Sequence, residues 1–385
     1  MRPPVATVAT GTSARRALYA LALLQALGTS FAWSVTTADM RHMGATYGLI
    51  GFSLAAFFVV RGSLSFVAGR YWGNGQRVSI TWSLAVFGLA GLAMAAAGGP
   101  WTLLIGRLVQ ALAAGVYWTA VLSLVAAAGG GEGRVGVLAA FNAAVAAGSG
   151  IGSLVSGPLA DHFGPPASFL AMAAVFTAAS LFWHYRLSRA LPVAAVGDGG
   201  SAGGRPRSVV LQVATVASLA GLVPALTALG MPLLVLERGG SYATIGLVTA
   251  LSVAAGVVAQ TLAGPSLRLG RRRGLAAALG VQGGLCLLVA ASRSLAPAVT
   301  LFPLMALATG ISGTLFVAWL YTVAEPDQQP AAVGIFRAAA DGGQVLFLLG
   351  LGAMADRLGL APLFVVTAVV MLALAVTFVS LRRAA

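Results

Sequence analysis

Apolar stretches of about twenty residues or more, joined by loops mostly too short for anything but turns, run through the whole chain. Roughly twenty apolar residues in a helix cross the hydrocarbon core of a bilayer. With no water there to satisfy backbone N–H and C=O groups, each stretch has to be a helix. Twelve such spans are read at 17–38, 47–69, 78–98, 100–128, 134–160 and 166–187, then 208–236, 243–267, 274–292, 296–323, 330–355 and 361–381. Composition agrees. Charged residues make up 8% of the chain and hydrophobic residues 59%, whereas a soluble domain carries about a quarter charged residues. The expectation is an all-α membrane protein of twelve transmembrane helices.

The formal net charge of +14 raises nucleic acid as a partner, but the placement of that charge argues against it. The 23 basic residues are all arginine. Most sit in the gaps between spans, where the positive-inside rule places them. With the N-terminus inside, Arg2, Arg15, Arg16, Arg70, Arg77, Arg134, Arg186, Arg189, Arg205, Arg207, Arg268, Arg271, Arg272, Arg273, Arg382 and Arg383 fall on the cytoplasmic side. Arg41, Arg238, Arg293 and Arg357 fall outside. This asymmetry predicts a multi-pass protein of the bacterial inner (plasma) membrane with both termini cytoplasmic. The opening MRPPVATVATGTSARR reads as a cytoplasmic tail, since the apolar stretch after it is too long for a leader's core. Cys286 lies alone in an apolar run, and His42, His162 and His184 are far apart, so neither a disulfide nor a metal site is expected. No P-loop, H-E-x-x-H or nucleophile elbow is present. The chain is read as no enzyme and as needing no cofactor, with its energy drawn from an ion gradient or from the solute's own.

The spans repeat. At a constant offset of 195 residues, Gly44, Tyr47 and Gly51 pair with Gly239, Tyr242 and Gly246, and Gly69, Gly75 and Arg77 with Gly264, Gly270 and Arg272. Gly115 pairs with Gly310 and Phe141 with Phe336, while GPLADHFGPPASF (157–169) echoes GAMADRLGLAPLF (352–364), so Asp161 pairs with Asp356. Residues 188–207, rich in Gly, Pro and Arg, read as a linker. The domain expectation is therefore a six-helix bundle at 1–187, a cytoplasmic linker at 188–207 and a second six-helix bundle at 208–385. Parallel repeats of this kind suit alternating access around a midplane site, in a fold that needs no partner to close and is expected as a monomer.

Within this frame the chain resembles the major facilitator superfamily over nearly its whole length. LLIGRLVQALAAG (103–115) resembles the family's L-x-x-x-R-x-x-Q-G-x-G signature, with Arg107 and Gln110 on its Arg and Gln and Ala111 on its first Gly. The resemblance implies a part in proton coupling for these two residues. The 2–3 loop, GRYWGNGQR (69–77), and the 8–9 loop, AGPSLRLGRRR (263–273), depart from G-x-L-A-D-R-x-G-R-R, having Gly73 and Leu267 at the acidic position. Gly69 and Arg77 remain as its gating and packing residues. The fuller match is GPLADHFG (157–164), on the outer side. GSGIGSLVSGPLAD (148–161) partly resembles the signature of proton-coupled exporters through Gly148, Gly152, Gly157 and Pro158. Small residues also pack membrane helices together whatever the protein does.

A charge at a helix centre costs about 2.5–3.5 kcal/mol on insertion scales and needs a reason. Arg61, Arg107, Arg337 and Asp341 are such charges. Arg337 and Asp341, four apart on one face, are either a structural ion pair or a switch in which Asp341 takes a proton and frees Arg337. Arg61 is either a group satisfied by backbone and water or an anion site. Gln25, Thr29, Trp33, Thr36 and Asp39 form a polar stripe on the first helix, expected to face the cavity, with Asp39 either solvated at the outer end or a proton site. Tyr117, Trp118, Asn142, Gln260, Trp319 and Tyr321 complete the candidate solute-binding set, the four aromatics being equally readable as interface anchors. Gly157, Pro158, Asp161 and Asp356 join the gating and packing set. The functional expectation is proton-coupled efflux of a small organic solute by an antiporter. The alternatives are an importer or exchanger of anions using the buried arginines, and a non-transporting assembly factor or sensor on the same scaffold.

Overall fold

A computed structural model describes residues 12–71, 76–129, 134–187, 215–216, 218–219, 221–266, 270–323 and 329–380. The expected linker, and Gly73 and Leu267 in the two degenerate loops, lie outside the described residues. So do the side chains of Gly69, Arg77 and Arg337, although these three stand in helices.

The described residues form twelve α-helices and no strand. They are α1 (Thr12–His42), α2 (Tyr47–Tyr71), α3 (Gln76–Ala95), α4 (Pro100–Gly129), α5 (Arg134–Phe163), α6 (Pro165–Phe182), α7 (Leu222–Glu237), α8 (Tyr242–Ser266), α9 (Arg271–Ala291), α10 (Leu295–Val323), α11 (Gln329–Leu358) and α12 (Ala361–Ser380). Eleven are long and apolar enough to cross a membrane, and the described part of α7 is shorter. Large apolar side chains stand bare on the surface, Phe66, Val78 and Leu346 among them. That exterior suits hydrocarbon, and the chain is a multi-pass membrane protein.

The helix ends depart from the sequence reading in ways that matter. Helix α1 runs on to His42 rather than stopping at 38, which puts Asp39 inside its last turn. Helices α5 and α11 extend to Phe163 and Leu358, so Asp161 and Asp356 stand on helix rather than in loops. α6 stops at Phe182 and passes into a π-helical turn, Trp183–Leu187. The turns after α1 and α7 are built alike: Met43, Gly44 and Ala45 donate to the carbonyls of Asp39, Arg41 and Met40, as Arg238, Gly239 and Gly240 donate to those of Leu234, Leu236 and Val235. Gly44 and Gly239 carry φ of 86° and 75°, a left-handed conformation that glycine adopts without strain.

The 195-residue register reappears as contacts. A Cβ on Gly115 would strike the carbonyl oxygen of Arg61 and the Leu64 side chain. A Cβ on Gly310 would strike Ala259 and approach the carbonyl of Gly256, the positions matching Leu64 and Arg61. Glycine is needed at both crossings because the helix backbones touch there, as membrane helices packed through small residues do. Gly88 against Ala173 between α3 and α6 is likewise repeated by Gly283 against Ala368 between α9 and α12.

By compactness the chain divides into one unit of Met1–Ala32, Val60–Gly152 and Pro166–Gly199, and another of Trp33–Val59, Ser153–Pro165 and Gly200–Ala385. The second unit thus takes the last turns of α1 and α5 and the first turns of α2 along with the C-terminal half of the sequence.

Candidate functional site

In the first unit the polar residues gather on α2 and α4. Arg107 is buried in α4, and its Nη1 donates to Gln110 Oε1 at 2.6 Å, one turn on. Gln110 in turn points Nε2 at Met172 Sδ of α6, 3.9 Å away. Half-buried Arg61 on α2 lies within electrostatic range of Arg107. The Gly115 crossing sets this proximity by bringing α4 against the α2 backbone at Arg61, and Ser65 Oγ donates to the Gly115 carbonyl at 3.0 Å to hold it. Tyr117 is buried, its hydroxyl 3.5 Å from the Leu21 carbonyl. Trp118 meets Tyr117 and Phe141 edge-on at 5.9 and 6.0 Å. Asn142 is exposed on α5. On α1, Gln25 is buried with no partner for Oε1 among the described residues. Thr29 spends its hydroxyl on the Gln25 and Ala26 carbonyls of its own helix. The structure therefore joins Arg107 to Gln110 on α4, while Tyr117 and Trp118, about three turns further along the same helix, pack among Leu21, Phe87 and Phe141.

In the second unit Trp33 packs edge-on to Phe57 and Phe58 at 5.8 and 6.1 Å, and Thr36 is buried. Asp39 is 5% exposed, and its Oδ2 is buried without a hydrogen-bond partner among the described residues. Burying a polar oxygen without a hydrogen-bond partner costs free energy. Gln260 is exposed on α8. Trp319 packs edge-on to Phe378 at 5.6 Å, with Ile335 and Phe336 nearby, while Tyr321 is 47% exposed. Asp341 is half-buried on α11. Whether it pairs with Arg337 falls outside the described residues.

At the α1–α2 end of this unit is an arrangement the sequence reading did not contain. The amides of Tyr47 and Gly48, first in α2, donate to Asp356 Oδ1 and Oδ2 at 2.7 and 2.9 Å. The amides of Tyr242 and Ala243, first in α8, donate to Asp161 Oδ1 and Oδ2 at 2.9 Å each. A carboxylate here meets both unsatisfied N–H groups and the positive end of the helix dipole, about 0.3–1 kcal/mol at an exposed helix start. The Tyr47 hydroxyl donates to Glu237 Oε1 at 2.5 Å, and the Tyr242 hydroxyl lies 2.7 Å from His42 Nδ1. Arg41 stacks over the Tyr47 ring at 4.3 Å. Gly157 and Gly352 press on the carbonyls of Tyr242 and Tyr47. Pro158, within α5, is exposed beside this contact. The carboxylate grips, the tyrosine hydroxyl contacts and the glycine contacts each have a counterpart 195 residues away and join one half of the sequence to the other, whereas the Arg41 stacking stays within the N-terminal half and is not repeated, Leu236 standing at the matching position. The signal was present: His42 and Glu237 stand at the repeat offset beside the paired Tyr47 and Tyr242. Their differing types hid it. Next to Glu237, Arg238 ties the turn to Ser292, Ser294 and Val289. Burial pulls its guanidinium below the ordinary value, and Glu237 opposes the shift.

Among the described residues no group of His, Cys, Asp or Glu is placed to hold a metal ion.

The family described as Major Facilitator Superfamily matches residues 18–212 and again 213–385. Among solved structures, a bacterial homolog of the human lysosomal transporter Spinster, in an inward-facing and occupied conformation, superposes with a TM-score of 0.81 at 14% identity, covering 96% of each chain. The nucleoside transporter NupG superposes at 0.72 with 12% identity, covering 97% of this chain and 100% of its own. A point mutant of NupG does so at 0.77 with 13% identity, covering 95% and 99%. At such identities the likeness is one of fold. No curated protein sequence matches the chain.

Proposed function

The chain belongs to the major facilitator superfamily and is a transporter of small solutes, and from that premise we propose a proton-coupled antiporter that exports a small organic solute across the inner membrane. Both termini lie in the cytoplasm, as the arginine distribution indicates, which makes the α1–α2 end the outer end. Residues 1–187 and 208–385 are the two moving bodies, joined by 188–207.

The observation that carries proton coupling is Asp39. It is a carboxyl buried in the last turn of α1 with one oxygen unpartnered among the described residues. Such a group changes environment completely when that end opens to water, which is what a site that loads and releases a proton requires. Asp341 is the second candidate, half-buried on α11. Arg107, held by Gln110, supplies the fixed charge against which solute and proton compete. The proposed solute contacts are Arg61, Tyr117, Trp118 and Asn142 from the N-terminal half of the sequence, and Gln260, Trp319, Tyr321 and Arg337 from the C-terminal half. Efflux rests on the partial exporter signature of α5. Gly148 and Gly152 also pack against the α1 carbonyls of Leu23 and Leu27, so that stretch serves helix packing in any case.

In proteoliposomes with a pH-sensitive dye inside, solute counterflow is expected to persist in Asp39→Asn while solute-driven proton movement disappears. Undiminished proton movement in that variant refutes the assignment. A second reading has its own support: Arg61 and Arg107 are two intramembrane arginines on packed helices α2 and α4, within electrostatic range of each other, as a site for an organic or inorganic anion would require. Thermal stabilisation of the purified protein by carboxylates or phosphates, lost in Arg61→Ala, would select it over the first.

A further inference from the structure

We infer that Asp161 and Asp356 are positioning residues of a duplicated outer latch, each gripping the first amides of a helix from the other half of the sequence and so making the outer-closed state the resting state of this transporter. Three features carry this. First, the grip is chelating: each carboxylate takes two successive backbone amides, Tyr47 and Gly48 or Tyr242 and Ala243. That geometry forms only when α11 sits against α2 and α5 against α8. Second, the small residues behind the carboxylates permit that approach. Gly51 and Gly246 rest on the carbonyls of Leu348 and Ser153, and Gly352 and Gly157 on those of Tyr47 and Tyr242. A side chain at any of the four would push the carboxylate off its amides. Third, each gripped tyrosine is fastened a second time through its hydroxyl, Tyr47 to Glu237 and Tyr242 to His42.

The grips are exposed, and an exposed carboxylate at a helix start is a weak bond. Weak bonds of this sort tilt an equilibrium without freezing it. Two grips acting together shift it by about tenfold, enough to set which end rests closed and little enough for a bound solute to reverse. Thr36, in the last two turns of α1, is buried.

The test reads both ends of the full-length protein. In a Cys286→Ala background, Thr36→Cys reports the outer side and Gln260→Cys, on the inner part of α8, reports the inner side. Each is labelled by a membrane-impermeant maleimide in right-side-out and inverted vesicles. Asp161→Ala with Asp356→Ala is expected to raise outer labelling about tenfold and to lower inner labelling, each single variant giving part of the shift. Loss of fold would raise both rates together, so opposite movement separates a latch from a merely structural role. If the double alanine variant fails to reach the membrane, the Asn pair takes its place. Asn keeps an acceptor and loses the charge, and is expected to give a smaller shift of the same sign. Unchanged outer labelling in the folded variants overturns the proposal. It rests on the alternating-access reading only for its meaning, because the labelling rates need no solute. A protein with no measurable transport but with the opposite shifts would retain the latch and lose the proton-coupling assignment.

Discussion

At positions 195 residues apart, the N-terminal half carries Arg61, Arg107, Gln110, Tyr117 and Asp39 where the C-terminal half carries Gly256, Phe302, Met305, Ser312 and Leu234. The backbone contacts around these positions are nonetheless the same. Gly115 and Gly310 sit at matching crossings, and Asp161 and Asp356 grip matching helix starts. Duplication has kept the packing and let the chemistry diverge. In α4 a buried arginine is held by Gln110, whereas in α10 the matching Phe302 packs edge-on to Phe364 at 5.9 Å. Likewise Phe87 meets Tyr117 ring to ring, where Gln282 donates to Ser312 at 2.9 Å. The lesson is that the two halves share packing but not chemistry: Arg61, Arg107 and Asp39 have no charged counterpart in the C-terminal half, and Arg337 and Asp341 have none in the N-terminal half, where Asn142 and Ala146 stand.

The sharpest way to break that comparison is to remove the matched pair Arg107 and Phe302 in turn. Arg107→Ala is expected to reduce proton-driven transport in proteoliposomes to the level of empty vesicles while the protein still folds. Phe302→Ala should instead lower stability by about 3–5 kcal/mol, as deletion of a buried ring does, with the proton-to-solute ratio unchanged. A changed ratio in Phe302→Ala would mean that the position matching Arg107 takes part in coupling as well.

Next in size are the helix crossings, where the halves should behave alike. Gly115→Leu and Gly310→Leu force a side chain into a backbone contact, and each is expected to cost about 1–3 kcal/mol, read as similar losses of melting temperature in detergent. A large inequality would show that the two crossings are not equivalent in energy.

Smaller still are the tyrosine hydroxyls. Tyr47→Phe and Tyr242→Phe each remove one hydrogen bond from the proposed outer latch, about 0.5–1.5 kcal/mol, and should raise outer labelling of Thr36→Cys severalfold. Tyr47→Phe should have the larger effect, because its acceptor is the Glu237 carboxylate. The smallest effect belongs to Gln282→Leu, expected within about 1 kcal/mol of the parent. Gln282 Oε1 already has no partner among the described residues, and Ser312 keeps its bond to the Thr309 carbonyl.

The sequence by itself determined the solvent, the helices and the repeat. Hydrocarbon leaves an apolar stretch of this length one choice of backbone, and that choice is local. The register could be read too, since the paired glycines mark helix crossings that depend on backbone shape alone. It singled out Arg107 and Gln110, three apart and so neighbours on one helical face. What the tertiary structure decided is which groups meet across large separations. Asp356 reaches Tyr47 over 309 positions and Asp161 reaches Tyr242 over 81, and no pattern along the chain names those partners. It also decided that Asp39, which the sequence left as either a solvated group near the outer end or a proton site, is buried. A single helix read alone carries no record of what covers that carboxyl.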